Sequence, residues 1–197
     1  GTGTIKISPA TLKVTTYGAR AEYNGSALTA DGKVTGFVNN EAAAFATTGS
    51  QTLVGTSTNT YAIDWNNTAK QSNYTVEEEL GTLEVTQNQT SIMVIPQGGS
   101  KPYDGTALTS AGVTTYGLPA GYTLTATTKG SVTNVGSTTA EVDTYNMKNA
   151  AGEDVTNQFG NVFTGKATLQ VTKRPVTVAS ASASKVYDGT TLTKHEA

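Results

Sequence analysis

Three stretches of this 197-residue chain place a tyrosine, an Asp or Asn, a glycine and a hydroxyl residue in the same order. They are Tyr23-Asn24-Gly25-Ser26, Tyr103-Asp104-Gly105-Thr106 and Tyr187-Asp188-Gly189-Thr190. Two kinds of chemistry suit such a group. Asp104 and Asp188 could act as metal ligands or catalytic carboxylates, because a carboxylate supplies charge and lone pairs. The same residues also build a tight turn. Asp or Asn caps the backbone two residues on, Gly takes a positive φ, and Tyr anchors the neighbouring strand in a core. The first copy decides between them. Asn24 keeps the capping oxygen but lacks the charge that a catalytic or calcium carboxylate needs. The motif is therefore expected to be a structural turn at all three places.

Other carriers of chemistry are scarce. There is no cysteine, which excludes disulfides, thiolate nucleophiles and cysteine zinc sites. The single histidine, His195, leaves little room for a Ser-His-Asp triad or a histidine metal cluster. A net charge of −2 offers no basic field for nucleic acid. Asp31, Asp143 and the pair Glu153-Asp154 are scattered and form no D-x-D-x-D-G calcium loop. Glu77-Glu78-Glu79 reads as a solvated edge that discourages edge-to-edge pairing. A Lys–Asn amide crosslink would need an inward lysine, and Lys6 and Lys13 fall on the outward phase. Tyr61, Trp65, Tyr116, Tyr122 and Tyr145 could stack on a sugar, but core packing is the better reading of each. No catalytic, cofactor-binding or metal-ligating residue is assigned, no cofactor is implied, and no enzymatic activity is expected.

The elements that would hold these groups read as strands. Leu12/Val14, Ile92/Val94 and Val176/Val178 alternate with Lys13, Met93 and Thr177. Ile5/Ile7, Leu83/Val85 and Leu169/Val171 alternate with Lys6, Glu84 and Gln170. Period-two alternation marks half-buried strands with one solvated face. Further strands are expected at 33–38, 43–48, 52–54, 58–65 and 73–76, then at 112–117, 122–128, 131–135 and 138–147. No segment carries a helical stripe, and only 154–159 suits one short helical turn. The composition agrees, with 38 threonines among the polar residues and Val, Leu, Ile and Tyr among the apolar ones. No apolar run approaches the roughly 20 residues needed to cross a bilayer, so no membrane insertion is expected.

The strands repeat in order. The Tyr-to-Tyr spacings are 80 and 84 residues. The closing segments Gly3-Thr4-Ile5-Lys6-Ile7-Ser8, Gly81-Thr82-Leu83-Glu84-Val85-Thr86 and Ala167-Thr168-Leu169-Gln170-Val171-Thr172 follow a similar period. Gly49-Ser50…Val54-Gly55 matches Gly130-Ser131…Val135-Gly136. This register places complete modules at 9–86 and 87–172. Residues 1–8 read as the last strand of a preceding module, and 173–197 as the start of a following one. The chain starts mid-pattern and reads as part of something longer. Joins are short, and two carry proline, which favours a semi-stiff string. The fold expectation is all-β, with tandem Ig-like β-sandwich modules. A β-grasp-like module with 154–159 as its one short helix is the alternative.

Taken together, Lys-x-Tyr-Asp-Gly-Thr-x-Leu, the central Gly-Ser…Val-Gly, Asn73-Tyr74-Thr75 and the closing Gly-Thr-Leu-x-Val-Thr resemble the bacterial surface-adhesin repeats called YDG or MBG domains. The resemblance covers nearly the whole chain. It departs at Asn24-Gly25-Ser26, and in the second module, which has no Asn-Tyr-Thr before its last strand. It implies an all-β Ig-like module in tandem arrays of large exported proteins on a bacterial surface, cell-wall anchored or secreted, without catalytic residues. The leading functional expectation is a non-catalytic stalk segment of a surface adhesin, whose partners are the neighbouring modules of the same chain. One alternative is a module that itself binds a host glycan or surface protein. Another is an accessory module of a surface-anchored glycoside hydrolase.

Overall fold

The structure is a computed structural model and describes residues 2–180 and 182–192. It is all-β, and among the described residues the only helical pieces are two 3-10 turns, Gln71–Asn73 and Thr156–Gln158. No helix among the described residues is long and apolar enough to cross a membrane.

The first repeat holds β1 (Ala10–Thr16), β2 (Ala19–Glu22), β3 (Gly32–Thr35), β4 (Ala44–Thr47), β5 (Gly55–Thr58), β6 (Tyr61–Asp64), β7 (Tyr74–Glu79) and β8 (Thr82–Thr86). Its sheets run β3-β1-β7, β2-β8-β5 and β4-β6. The second holds β9 (Ile92–Pro96), β10 (Gly99–Pro102), β11 (Leu108–Thr109), β12 (Val113–Tyr116), β13 (Thr123–Lys129), β14 (Ser131–Val132), β15 (Gly136–Lys148), β16 (Val162–Thr164) and β17 (Lys166–Thr172). Its sheets run β12-β9-β16, β10-β17-β15-β13 and β11-β14. Among the described residues no strand pairs with a strand of the other repeat.

The wiring repeats as well. Each opening strand, β1 or β9, lies between an antiparallel and a parallel neighbour. Each closing strand, β8 or β17, does the same in another sheet. Leu12, Val14, Leu83 and Val85 are buried, as are Ile92, Val94, Leu169 and Val171. The alternation therefore turned the right residues inward. The outward charges find partners on the surface, Lys13 with Glu79 at 2.9 Å and Arg20 with Glu84 at 3.3 Å. Such exposed pairs contribute little to stability.

Between β1 and β2 the chain steps from one sheet to the next through Gly18, and between β9 and β10 through Gly98. A Cβ at Gly18 would lie 2.9 Å from the Thr82 carbonyl oxygen, and one at Gly98 2.9 Å from that of Thr168. Only glycine allows this approach, and the step lays β2 and β10 parallel to the closing strands. These strands were not expected, because Ala-Arg-Ala-Glu and Gly-Ser-Lys-Pro carry no apolar alternation.

Other expectations needed correcting. Residues 52–54 form no strand. The expected strand 58–65 is realised only as β6, Tyr61–Asp64, which Thr60 and Asn59 separate from β5; Asn59 breaks the run. That side chain is fully buried, and its Nδ2 donates to the carbonyls of Tyr17 (3.0 Å) and Ala30 (2.9 Å). The second repeat has the buried Ala140 in its continuous β15. The segment 154–159 contributes the 3-10 turn Thr156–Gln158, and its unforeseen counterpart is Gln71–Asn73. Ile5, Ile7, Val176 and Val178, expected on an inward face, are almost fully exposed, and residues 2–9 and 173–180 form no strand. Alternation supplies two faces, but a strand also needs an edge to pair with. Gly1, His195 and the rest of 193–197 lie outside the described residues.

Candidate functional site

The three turn motifs share one local geometry. Gly25, Gly105 and Gly189 have φ of 81°, 82° and 79°, the left-handed region that glycine occupies without strain. The side-chain oxygen of Asn24, Asp104 or Asp188 accepts the N–H two residues on, at 2.8, 2.9 and 3.0 Å. The charged copies add a clamp. Lys101 Nζ lies 2.9 Å from Asp104 Oδ1, and Lys185 Nζ 2.8 Å from Asp188 Oδ1. Each lysine also donates to the hydroxyl of Thr106 or Thr190. The first copy has Ala21 and Asn24 in these places, so both charges of the clamp are absent together. Lys101, together with the Thr106 N–H and hydroxyl, holds the Asp104 carboxyl well below the usual carboxylate range, and Asp188 is lowered likewise.

The tyrosines differ. Tyr23 is 2% exposed, Tyr103 41% and Tyr187 91%. The expectation that each anchors its strand in a core holds for Tyr23 and is corrected for Tyr103 and Tyr187. Tyr23 leaves its own repeat and packs into the second one. Its ring lies 5.9 Å from Phe159 at 79° and 6.4 Å from Tyr122 at 59°, and those two rings meet edge-on at 5.2 Å. Val85, Ile92, Val94, Met147 and Val155 complete this core, to which both repeats contribute. Burial pushes the Tyr23 phenol up to about 12. Among the described residues no aromatic ring packs on Tyr103 or Tyr187.

The join between the repeats is hydrogen-bonded on both sides. Asn88 N–H donates to the Gln158 carbonyl (2.9 Å), and Gly160 N–H donates to the Asn88 carbonyl (3.0 Å). Asn88 Nδ2 donates to the Tyr23 carbonyl (2.9 Å), while its Oδ1 accepts the Thr90 N–H (2.8 Å). Gln87 Nε2 donates to the Asn157 carbonyl (3.0 Å), and Val54 N–H to Gln158 Oε1 (2.6 Å). Residues 87–90 are thus tied to both repeats rather than acting as a free tether.

Phe159 was expected only as the end of the short helical turn 154–159, and Asn88 only within a short join and an Asn-x-Thr glycosylation sequon. Phe159 follows the turn Thr156–Gln158 as Tyr74 follows Gln71–Asn73, so each repeat places a buried aromatic just after its 3-10 turn. Tyr122, expected to pack in a core rather than stack on a sugar, packs at the joint. Trp65 packs with Phe37 and Tyr74 inside the first repeat. Tyr61 stacks on Phe45 and donates to Glu78 Oε1. Asp154 caps Thr156 and accepts from Asn146, Glu153 accepts from Asn149, and Asp143 lies 3.9 Å from Lys129. These carboxylates are not brought together, and no three His, Asp or Glu side chains converge among the described residues.

Tyr116 and Phe163 stand either side of Met93 on neighbouring strands, and all three are exposed. The first repeat has Lys13, Thr35 and Glu77 in those places. No protein-family model matches the chain, and no curated protein matches it.

Proposed function

We propose that the chain is a non-catalytic segment of an extracellular stalk, built from tandem Ig-like β-sandwich modules of the YDG/MBG type and carried by a bacterial surface adhesin. The observation that carries this reading is the joint, in which Tyr23 is buried among Tyr122, Phe159 and Val155. A stalk must transmit orientation from one module to the next. A shared core and a hydrogen-bonded join do so, whereas a Gly/Ser tether would not. The test pairs small-angle scattering with a glycan and matrix-protein array. An elongated, rigid scattering profile with no binding supports the stalk. A flexible profile of two independent bodies overturns it.

The stripe of Tyr116, Met93 and Phe163 favours a second reading, direct binding of a host glycan or protein by the second repeat. Exposed aromatic faces on a flat sheet suit an apolar sugar face. Binding on the array that disappears in Tyr116→Ala and Phe163→Ala would establish it. Binding that survives both substitutions, or none at all, would sink it.

A further inference from the structure

We propose that Tyr103 is the docking residue for the module that follows the second repeat, and that its partner is an aromatic pair equivalent to Tyr122 and Phe159. The inference rests on the stalk reading and goes on to name the contact surface.

Four observations carry it. Tyr103 N–H donates to the Thr172 carbonyl at 2.8 Å, just as Tyr23 N–H donates to that of Thr86 at 2.8 Å. The parallel register of β10 on β17, with Gly99 opposite Leu169, repeats that of β2 on β8, with Ala19 opposite Leu83. The turn glycines match in φ, 82° against 81°. Tyr103 is therefore delivered by the same backbone as Tyr23, yet it is 41% exposed where Tyr23 is 2% exposed. The fourth observation lies downstream. Val176/Val178 and Lys185-Val186-Tyr187-Asp188-Gly189 repeat the opening of the module that covers Tyr23. The surface at Tyr103 thus continues an interface already seen once in this chain, and its occupant is a module of the same kind.

The second joint differs in charge. In the first, Asn24 is uncharged, and the amide of the join residue Asn88 donates to the Tyr23 carbonyl. In the second, Arg174 stands at the position of Asn88, and it lines one pocket with Lys101, Tyr103 and Asp104. A guanidinium donates but does not accept. Arg174 can therefore replace the Asn88 bond to the tyrosine carbonyl, but not the Asn88 bond from the Thr90 N–H.

The test is tyrosine nitration read by peptide mass spectrometry. In the 197-residue chain Tyr103 should react and Tyr23 should be protected. A longer chain carries residues 95–172 again after Val178, with Tyr103→Phe in the added copy so that the native Tyr103 peptide is unique. There, reactivity at the native Tyr103 should fall to that of Tyr23. Circular dichroism checks that the added copy folds, and its own Tyr122 reports whether the aromatic socket is closed. Tyr103 remaining as reactive as the exposed Tyr116 in the folded longer chain overturns the inference. That outcome leaves the stalk proposal standing with one loose joint, whereas ligand binding on the array removes the stalk proposal and leaves the joint.

Discussion

Gly25 and Gly105 have the same backbone but different surroundings, which separates the turn from the joint. A Cβ at Gly25 would meet the Tyr122 hydroxyl at 3.3 Å, whereas one at Gly105 meets nothing within 4 Å. Both alanine variants carry the left-handed penalty of about 1–2 kcal/mol. Gly25→Ala should cost more than Gly105→Ala, because it also crowds the joint, and urea denaturation of the two variants reads the difference. The charged clamp makes a second residue-level prediction. A depressed carboxyl pKa means that the stabilisation is fully present above the ordinary Asp value of about 3.9. It is lost as pH falls through the lower folded value. Carboxyl NMR should show Asp104 titrating below an ordinary Asp, and Lys101→Ala should raise it toward the ordinary value. An unchanged midpoint would show that the lysine does not hold the carboxylate. The turn was legible in the sequence because its determinants are local, namely one capping oxygen and one positive φ. The place of each tyrosine was not, because burial depends on what packs over the ring.

At the scale of elements, the crossings at Gly18 and Gly98 decide where the motif points. Gly98→Ala would press a methyl group against the Thr168 carbonyl and shift β10 off β17. We expect hydrogen exchange to accelerate in 99–103 while the β13–β15 pair stays protected. Equal protection throughout would show that the approach is not essential. Tyr23 is the other control point. Tyr23→Ala should cost about 3 kcal/mol, as for an aromatic removed from a core, and Tyr23→Phe should cost far less. The phenol also sets a pH window. Its folded value of about 12 lies above the ordinary 10. Its contribution is full below pH 10 and declines as pH rises from 10 to 12. A spectrophotometric titration should show a late class of tyrosines that includes Tyr23 and Tyr61, with Tyr23→Phe removing one member. The long alternating strands were readable from residue types. β2 and β10 were not, since they are held by the closing strand beside them rather than by any pattern of their own.

At the scale of the molecule, the two repeats share a core through Tyr23 and Val85 and are tied through Asn88. They should therefore unfold in one calorimetric transition. Tyr23→Ala combined with Asn88→Ala should split it in two, with the first repeat melting at the lower temperature. Its own buried cluster is Leu12, Ala69 and Tyr74, smaller than the set Ile92, Val94, Met147, Val155 and Phe159 that the second repeat supplies to the shared core. A single transition that survives the double substitution would mean that the joint does not couple the repeats. In a chain of such units, stability is a sum of unit and interface contributions. The interface then sets both stiffness and cooperativity.

Period and alternation by themselves determined that this chain is all-β, which residues of the opening and closing strands turn inward within the two repeats, and which residues make the turns. Those properties depend on neighbours one to three residues away, and the repeats state them more than once. Only the tertiary structure decided what the motif tyrosine does. Tyr23, Tyr103 and Tyr187 have nearly the same local sequence and run from buried to fully exposed. The difference lies in rings about 100 and 136 residues further along the chain for Tyr23, Tyr122 and Phe159. Local sequence positions a ring, but its burial is a property of the surface that closes over it.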